Sequence, residues 1–94
     1  MREELLRYWV RVEGRVQGVG FRWFVRDQGE QLNLTGWVRN ESDGSVECEI
    51  QGASENIERM LLALEQGPCA SHVEKLQKSL RPTGAGERGF QIRY

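Results

Sequence analysis

Near the N-terminus the apolar residues of this chain change their period across a glycine-rich run. Tyr8, Val10 and Val12 alternate with Trp9, Arg11 and Glu13, which predicts a strand from Tyr8 to Glu13. A turn follows from Gly14 to Gly20. From Phe21 the period is helical, because Phe21, Val25 and Leu32 share one stripe with Phe24 beside it. Gly29 lies on that stripe. It lowers helix propensity, but it lets a helix approach a sheet closely. Asn33 reads as a left-handed cap after the helix, a position where Asn is second choice to Gly.

A second strand is expected from Leu34 to Asn40, and Ser42-Asp43-Gly44 is a hairpin turn signal. In the third strand Val46, Cys48 and Ile50 alternate with Glu47, Glu49 and Gln51, predicting one buried and one wet face. Ser54 is a good N-cap for a second helix, with Glu55 favourable in its first turn. Ile57, Met60, Leu61 and Leu64 keep helical spacing until Gly67-Pro68 ends it. A fourth strand from His72 to Leu80, a loop from Arg81 to Arg88 and a short closing strand from Phe90 to Tyr94 complete the chain.

The order is β-α-β-β-α-β plus a short terminal strand, the α+β, ferredoxin-like split β-α-β sandwich. Its sheet is rich in antiparallel pairs and carries both helices on one face. The first and second strands run parallel, with the third antiparallel between them. The Gly14–Gly20 loop and Asn40 therefore come to the same end of the sheet. Asn40 shares the parity of Leu34 and Val38, so it points toward the helices, where Arg22 also lies.

The chain's 94 residues predict one domain, 1–94, with a modest core. Lys and Arg total 13 against 14 for Asp and Glu, so a global basic field for nucleic acid is absent. No stretch is long and apolar enough to span a membrane, and Met1–Arg7 lacks the apolar centre of a signal peptide. The chain is expected to be soluble and cytoplasmic. Cys48, Cys69 and a single histidine do not make a zinc site, and two free thiols are favoured over a disulfide.

The glycine-rich loop joins a strand to a helix N-terminus, where backbone N–H groups lack helical partners. That end binds anions. Gly18 and Gly20 let successive N–H groups converge into a nest. Arg22 adds a planar fork of donors. The spacing is neither the Walker pattern nor the dinucleotide fingerprint. On these residues alone, an anion nest and a plain tight turn both remain open.

The run Gly14-Arg15-Val16-Gln17-Gly18-Val19-Gly20-Phe21-Arg22, followed by Gly36-Trp37-Val38-Arg39-Asn40, closely resembles the two signature segments of acylphosphatases. The Asp43–Glu47 hairpin, Gly67-Pro68 and the terminal Phe90–Tyr94 segment are similar too, so the resemblance covers Tyr8 to Tyr94. It is nearest the bacterial and archaeal type. The resemblance implies hydrolysis of the carboxyl–phosphate bond of acyl phosphates, giving a carboxylate and inorganic phosphate, with no metal or other cofactor. Arg22 matches the family's phosphate-binding catalytic arginine, and Asn40 the catalytic asparagine that orients the attacking water. The backbone of Arg15, Val16, Gln17, Gly18, Val19, Gly20 and Phe21 matches the phosphate cradle. The implied partners are a small acyl phosphate, with inorganic phosphate as product and inhibitor, and the implied state is a monomer. A related domain occurs fused within hydrogenase-maturation carbamoyltransferases, but this length predicts no partner domain. Asn33 stands where the family often has Gly, Trp23 occupies a variable position, and Glu41 brings a negative charge close to the phosphate site.

The cradle contains no Cys, Ser, Thr, Asp or His. It offers neither a nucleophile for a covalent phospho-enzyme nor a general acid. A carboxylate leaving group, with a conjugate-acid pKa of about 4 to 5, needs no acid. His72 reads as structural or exposed. Trp9 and Trp37 read as strand packing, while Trp23 lies near the site and is a candidate to touch the acyl group. Arg15, Arg26 and Arg39 read as solvated, though each could add to the positive field. A non-catalytic phosphate-binding module is the alternative function. An RNA-binding domain of the same element order is disfavoured, because the third strand's wet face lacks aromatic and basic residues.

Overall fold

The alternating segments form strands and the two helical stripes form helices: β1 (Leu5–Arg15), α1 (Phe21–Gln31), β2 (Thr35–Asn40), β3 (Val46–Ala53), α2 (Ser54–Gln66), β4 (His72–Arg81) and β5 (Phe90–Arg93). This is a computed structural model that describes residues 4–94, so the start of the charged Met1–Arg7 segment lies outside the described residues. The sheet order is β4-β1-β3-β2-β5. β3 is antiparallel to both β1 and β2, and β5 adds to β2 in parallel. The expected ferredoxin-like arrangement is therefore the observed one.

The core sits between the sheet's inner face and both helices. Val10, Val12, Val38, Val46, Cys48 and Ile50 supply the sheet side, and Phe21, Val25, Ile57, Met60 and Leu64 the helix side. All are essentially out of water, and each large apolar side chain contributes about 1.5–3 kcal/mol. α1 approaches β5 so closely that a Cβ on Gly29 would fall 2.5 Å from the Phe90 ring. Asn33 takes the left-handed conformation at φ 56°, as its capping role requires.

Three details differ from the sequence expectation. β1 extends past Glu13, because Gly14 and Arg15 continue the pairing to Val73 and His72 across a bulge. The turn therefore begins after Arg15. Ser54 is the first helical residue rather than the N-cap, which is Ala53. β3 remains paired as far as Ala53, so strand passes directly into helix, and the Ser54 N–H donates to the Glu4 carbonyl. The third difference lies on the outer face of β3, which is largely covered. Gln51 is 8% exposed, and Glu47 and Glu49 are half-buried. The Arg7 guanidinium donates to Glu49 at 2.6 Å, to Gln51 at 3.1 Å and to Glu87 at 2.9 Å. Gln51 also exchanges two hydrogen bonds with the Gly84 backbone, at 2.8 and 2.9 Å, which straps residues 82–89 across the sheet.

Cys48 is buried in β3 and Cys69 is exposed, and both are free. Burial, aided by Glu47 and Glu49, pushes the Cys48 thiol up to about 12. A thiol reagent applied to the native protein at about pH 8 is expected to label Cys69 and spare Cys48. Both should react after denaturation. Equal labelling rates in the native state would contradict the packing of β3.

Candidate active site

The loop between β1 and α1 is fixed by apolar anchors and opened by glycines. Val16 and Phe21 are buried in the core, and Val19 packs half-buried against it. Gly18 and Gly20 lie between them, exposed, with φ of 74° and 78°. Those left-handed conformations favour glycine. They turn the backbone outward ahead of the helix, while the anchors hold the loop down. The Gly20 carbonyl accepts the first helical bond, from the Phe24 N–H at 3.0 Å. The N–H groups of Phe21, Arg22 and Trp23 precede that bond and have no intrahelical partner. No acidic residue lies in this first turn to neutralise the positive helix end.

Gln17 ties this loop to the neighbouring hairpin. Its side-chain amide donates to the Glu41 carbonyl at 2.7 Å and to the Ser45 carbonyl at 2.8 Å. The same Ser45 carbonyl accepts the Glu41 N–H at 2.9 Å. Asp43 in turn orders Ser45, accepting its hydroxyl at 2.6 Å and its N–H at 3.0 Å. Arg11 donates to the other Asp43 oxygen at 2.5 Å. The Ser45 hydroxyl and N–H, and then Arg11, hold the Asp43 carboxyl well below the usual carboxylate range. The hairpin, and through it the loop, is thus held best while Asp43 is ionised.

Asn40 ends β2 opposite Val46, with the parity of fully buried Val38. A cleft of about 270 Å³ is lined by Val16, Gly18, Gly20, Phe21, Arg22, Trp23 and Asn40. Arg22 and Asn40, from separate elements, share its wall. Of the other expected cradle residues, Arg15, Gln17 and Val19 do not put their side chains on its wall. Arg15 ends β1 beside His72, Gln17 turns to the hairpin, and Val19 turns to the core. The Arg22 guanidinium stacks over the Tyr94 ring at 4.9 Å.

The charge at Glu41 is answered locally. Arg39 donates to Glu41 at 2.7 Å and pairs with Glu47 at 2.8 Å. Arg39 also lies over Trp37, with Arg93 over the same ring. By strand parity these groups occupy the face opposite Asn40. Among the described residues, no group of three or more His, Cys, Asp or Glu side chains gathers where it could hold a metal ion. No helix described is long and apolar enough to cross a membrane.

The acylphosphatase family model matches residues 8–92, nearly the whole described chain. This chain belongs to the acylphosphatase family. An acylphosphatase of Salinibacter ruber is 43% identical over 83 residues, covering 88% of this chain and 87% of the relative. One from Aeropyrum pernix is 42% identical over 95 residues, covering 100% and 94%. The crystal structure of the Bacillus subtilis acylphosphatase superposes with a TM-score of 0.91 at 36% identity, over 95% of this chain and 99% of that one. Within the acylphosphatase frame, the Gln17, Ser45 and Tyr94 contacts are additions that sequence reading did not supply. Gln17 carried a signal in being the one amide side chain of the loop, but its partners lie 24 and 28 residues away.

Gln17→Ala removes both loop-to-hairpin bonds. At about 1 kcal/mol net per bond, about 2 kcal/mol for the two, it is expected to weaken inorganic phosphate binding by up to about thirtyfold, measured by titration calorimetry. Unchanged affinity would show that the loop holds its shape without the hairpin.

Proposed function

We propose that this acylphosphatase hydrolyses its substrate by direct attack of water on phosphorus, with Arg22 and Asn40 as the catalytic side chains. The presence of Gly18, Gly20, Arg22 and Asn40 on the wall of one cleft supports this reading. The phosphate oxygens accept hydrogen bonds from the cradle backbone between Arg15 and Phe21 and from Arg22. These donors spread the charge that builds on the equatorial oxygens in the transition state. The Asn40 side-chain carbonyl accepts a hydrogen bond from the attacking water and aims it at phosphorus. The new water-oxygen–phosphorus bond forms as the bond to the acyl oxygen breaks. That oxygen leaves with the electron pair as a carboxylate, and a phosphate oxygen takes the water proton. The cleft wall carries no His, Cys, Asp or Glu side chain, in keeping with a reaction that needs no protein acid or base.

The same cradle could serve a non-catalytic anion-binding module. Asn40 favours catalysis, since phosphate binding needs only the donors of the loop and Arg22. We further infer that the protein works in the cytoplasm, as a monomer, on small molecules rather than nucleic acid. The separation of buried Cys48 from exposed Cys69 suits a reducing compartment. The pairing of Arg7 and Arg39 with carboxylates reduces the positive charge on the outer sheet face.

Hydrolysis of acetyl phosphate in the presence of excess chelator tests the reading. Turnover well above background is expected, and background rates would refute it. Arg22→Ala should lose both phosphate binding and turnover. Asn40→Ala should keep inhibition by inorganic phosphate while losing at least roughly 10²-fold in turnover. Near-full activity in Asn40→Ala would remove that residue from the mechanism. The rate should show no sharp bell-shaped pH dependence traceable to a single side chain.

A further inference from the structure

The phosphate half of the substrate accounts for the polar part of the cleft, and one lining side chain is left over. Val16 and Phe21 line the cleft but are 1% and 2% exposed, committed to the core. Gly18 and Gly20 offer only backbone. Arg22 and Asn40 have their roles. Trp23 remains, 55% exposed; Leu5, Leu62, Leu80 and Tyr94 are exposed too, but of these five Trp23 is the one on the cleft wall. It is the third residue of α1, one position beyond Arg22, so its indole stands beside the anion site rather than within it.

The Trp23 ring is backed by Arg26. The Arg26 guanidinium lies 4.3 Å from the ring centroid, and Arg26 reaches Asp27 at 3.2 Å and Glu30 at 3.8 Å. Spacing of i, i+3 on a helix brings these two side chains together. The stack holds the indole in place on the helix surface and leaves its remaining area free. A rigid aromatic surface loses little conformational entropy on contact and suits flat apolar partners.

In an in-line displacement the acyl group departs on the side of phosphorus opposite the attacking water. The acyl group therefore projects out of the cradle, past the side chains at its mouth. We propose that Trp23 forms an acyl subsite that selects acyl phosphates with a flat, apolar acyl group, aromatic above all, over those with a small aliphatic one. This rests on the hydrolase reading above and supplies the half of the substrate that the cradle ignores. Arg26 is a positioning residue here, acting through the indole.

Steady-state kinetics with benzoyl phosphate and acetyl phosphate test the subsite in the wild type, Trp23→Ala and Trp23→Phe. The wild type is expected to show the lower KM for benzoyl phosphate. Trp23→Ala should raise the ratio of the benzoyl KM to the acetyl KM about tenfold, equivalent to about 1.4 kcal/mol of selective binding. Trp23→Phe, which keeps an aromatic face, should restore most of the ratio. Inhibition by inorganic phosphate, which has no acyl group, should shift less than about twofold in Trp23→Ala. If both KM values rise in parallel, or neither moves, the subsite is refuted while the hydrolase reading stands. If the wild type hydrolyses neither compound, both fall together.

Discussion

β3 lies antiparallel between β1 and β2, and the site depends on that placement. Two parallel strands separated by a third stand about 10 Å apart, twice the interstrand spacing. Their C-terminal ends open at the same edge of the sheet. One end feeds the loop that leads into α1, and the other carries Asn40. Loop residues and Asn40 therefore line one cleft. The apolar face of β3, with Val46, Cys48 and Ile50 fully buried, locks the register that sets this spacing. A one-residue slip would expose that face and turn Asn40 away from the helices.

The strands bring the two halves of the site to one edge, and hydrogen bonds lock them there. Gln17 bridges loop and hairpin, Ser45 receives it, and Asp43 orders Ser45. The chain of contacts runs from a surface carboxylate to the glycine-rich loop. It fixes the shape of that loop within the fold, so the donors proposed to hold phosphate are gathered in advance. Because Asp43 is held below the usual carboxylate range, this contribution is intact above about pH 4. It fades as acid protonates the folded carboxyl. The neighbouring negative charge of Glu41 does not oppose the substrate strongly, since Arg39 is already against it.

The parts of the molecule that were legible in the sequence are those with a local period or a local conformational demand. The alternation of Val46 to Gln51, the helical stripe of Ile57 to Leu64 and the left-handed Asn33 all follow from short-range rules. The position of Asn40 followed from strand parity and element order. What escaped notice was side chains meeting across long stretches of chain. Arg7 and Glu87 are 80 residues apart, and Gln51 meets Gly84 across 33. No period announces such pairs, so the outer face of β3 looked wet when a strap covers it. Ser54 was misplaced for a related reason. Its hydroxyl suits a cap, but continued pairing of β3 to Ala53 moved the helix start onto it. The residue roles at the cleft came from family resemblance, since a glycine-rich turn alone did not distinguish an anion nest from simple chain reversal.

The chemistry that remains is unusually spare. A cleft with backbone donors, one guanidinium and one amide has neither a nucleophile nor an acid of its own. Such a site suits a leaving group that departs unprotonated and a nucleophile that comes from solvent. Turnover in oxygen-18-labelled water separates this route from attack at the acyl carbon. If water attacks phosphorus in the cleft, one labelled oxygen enters each inorganic phosphate released and none enters the carboxylate. Label in the carboxylate would contradict the mechanism, because it would place the attack on the half of the substrate that the cradle does not hold.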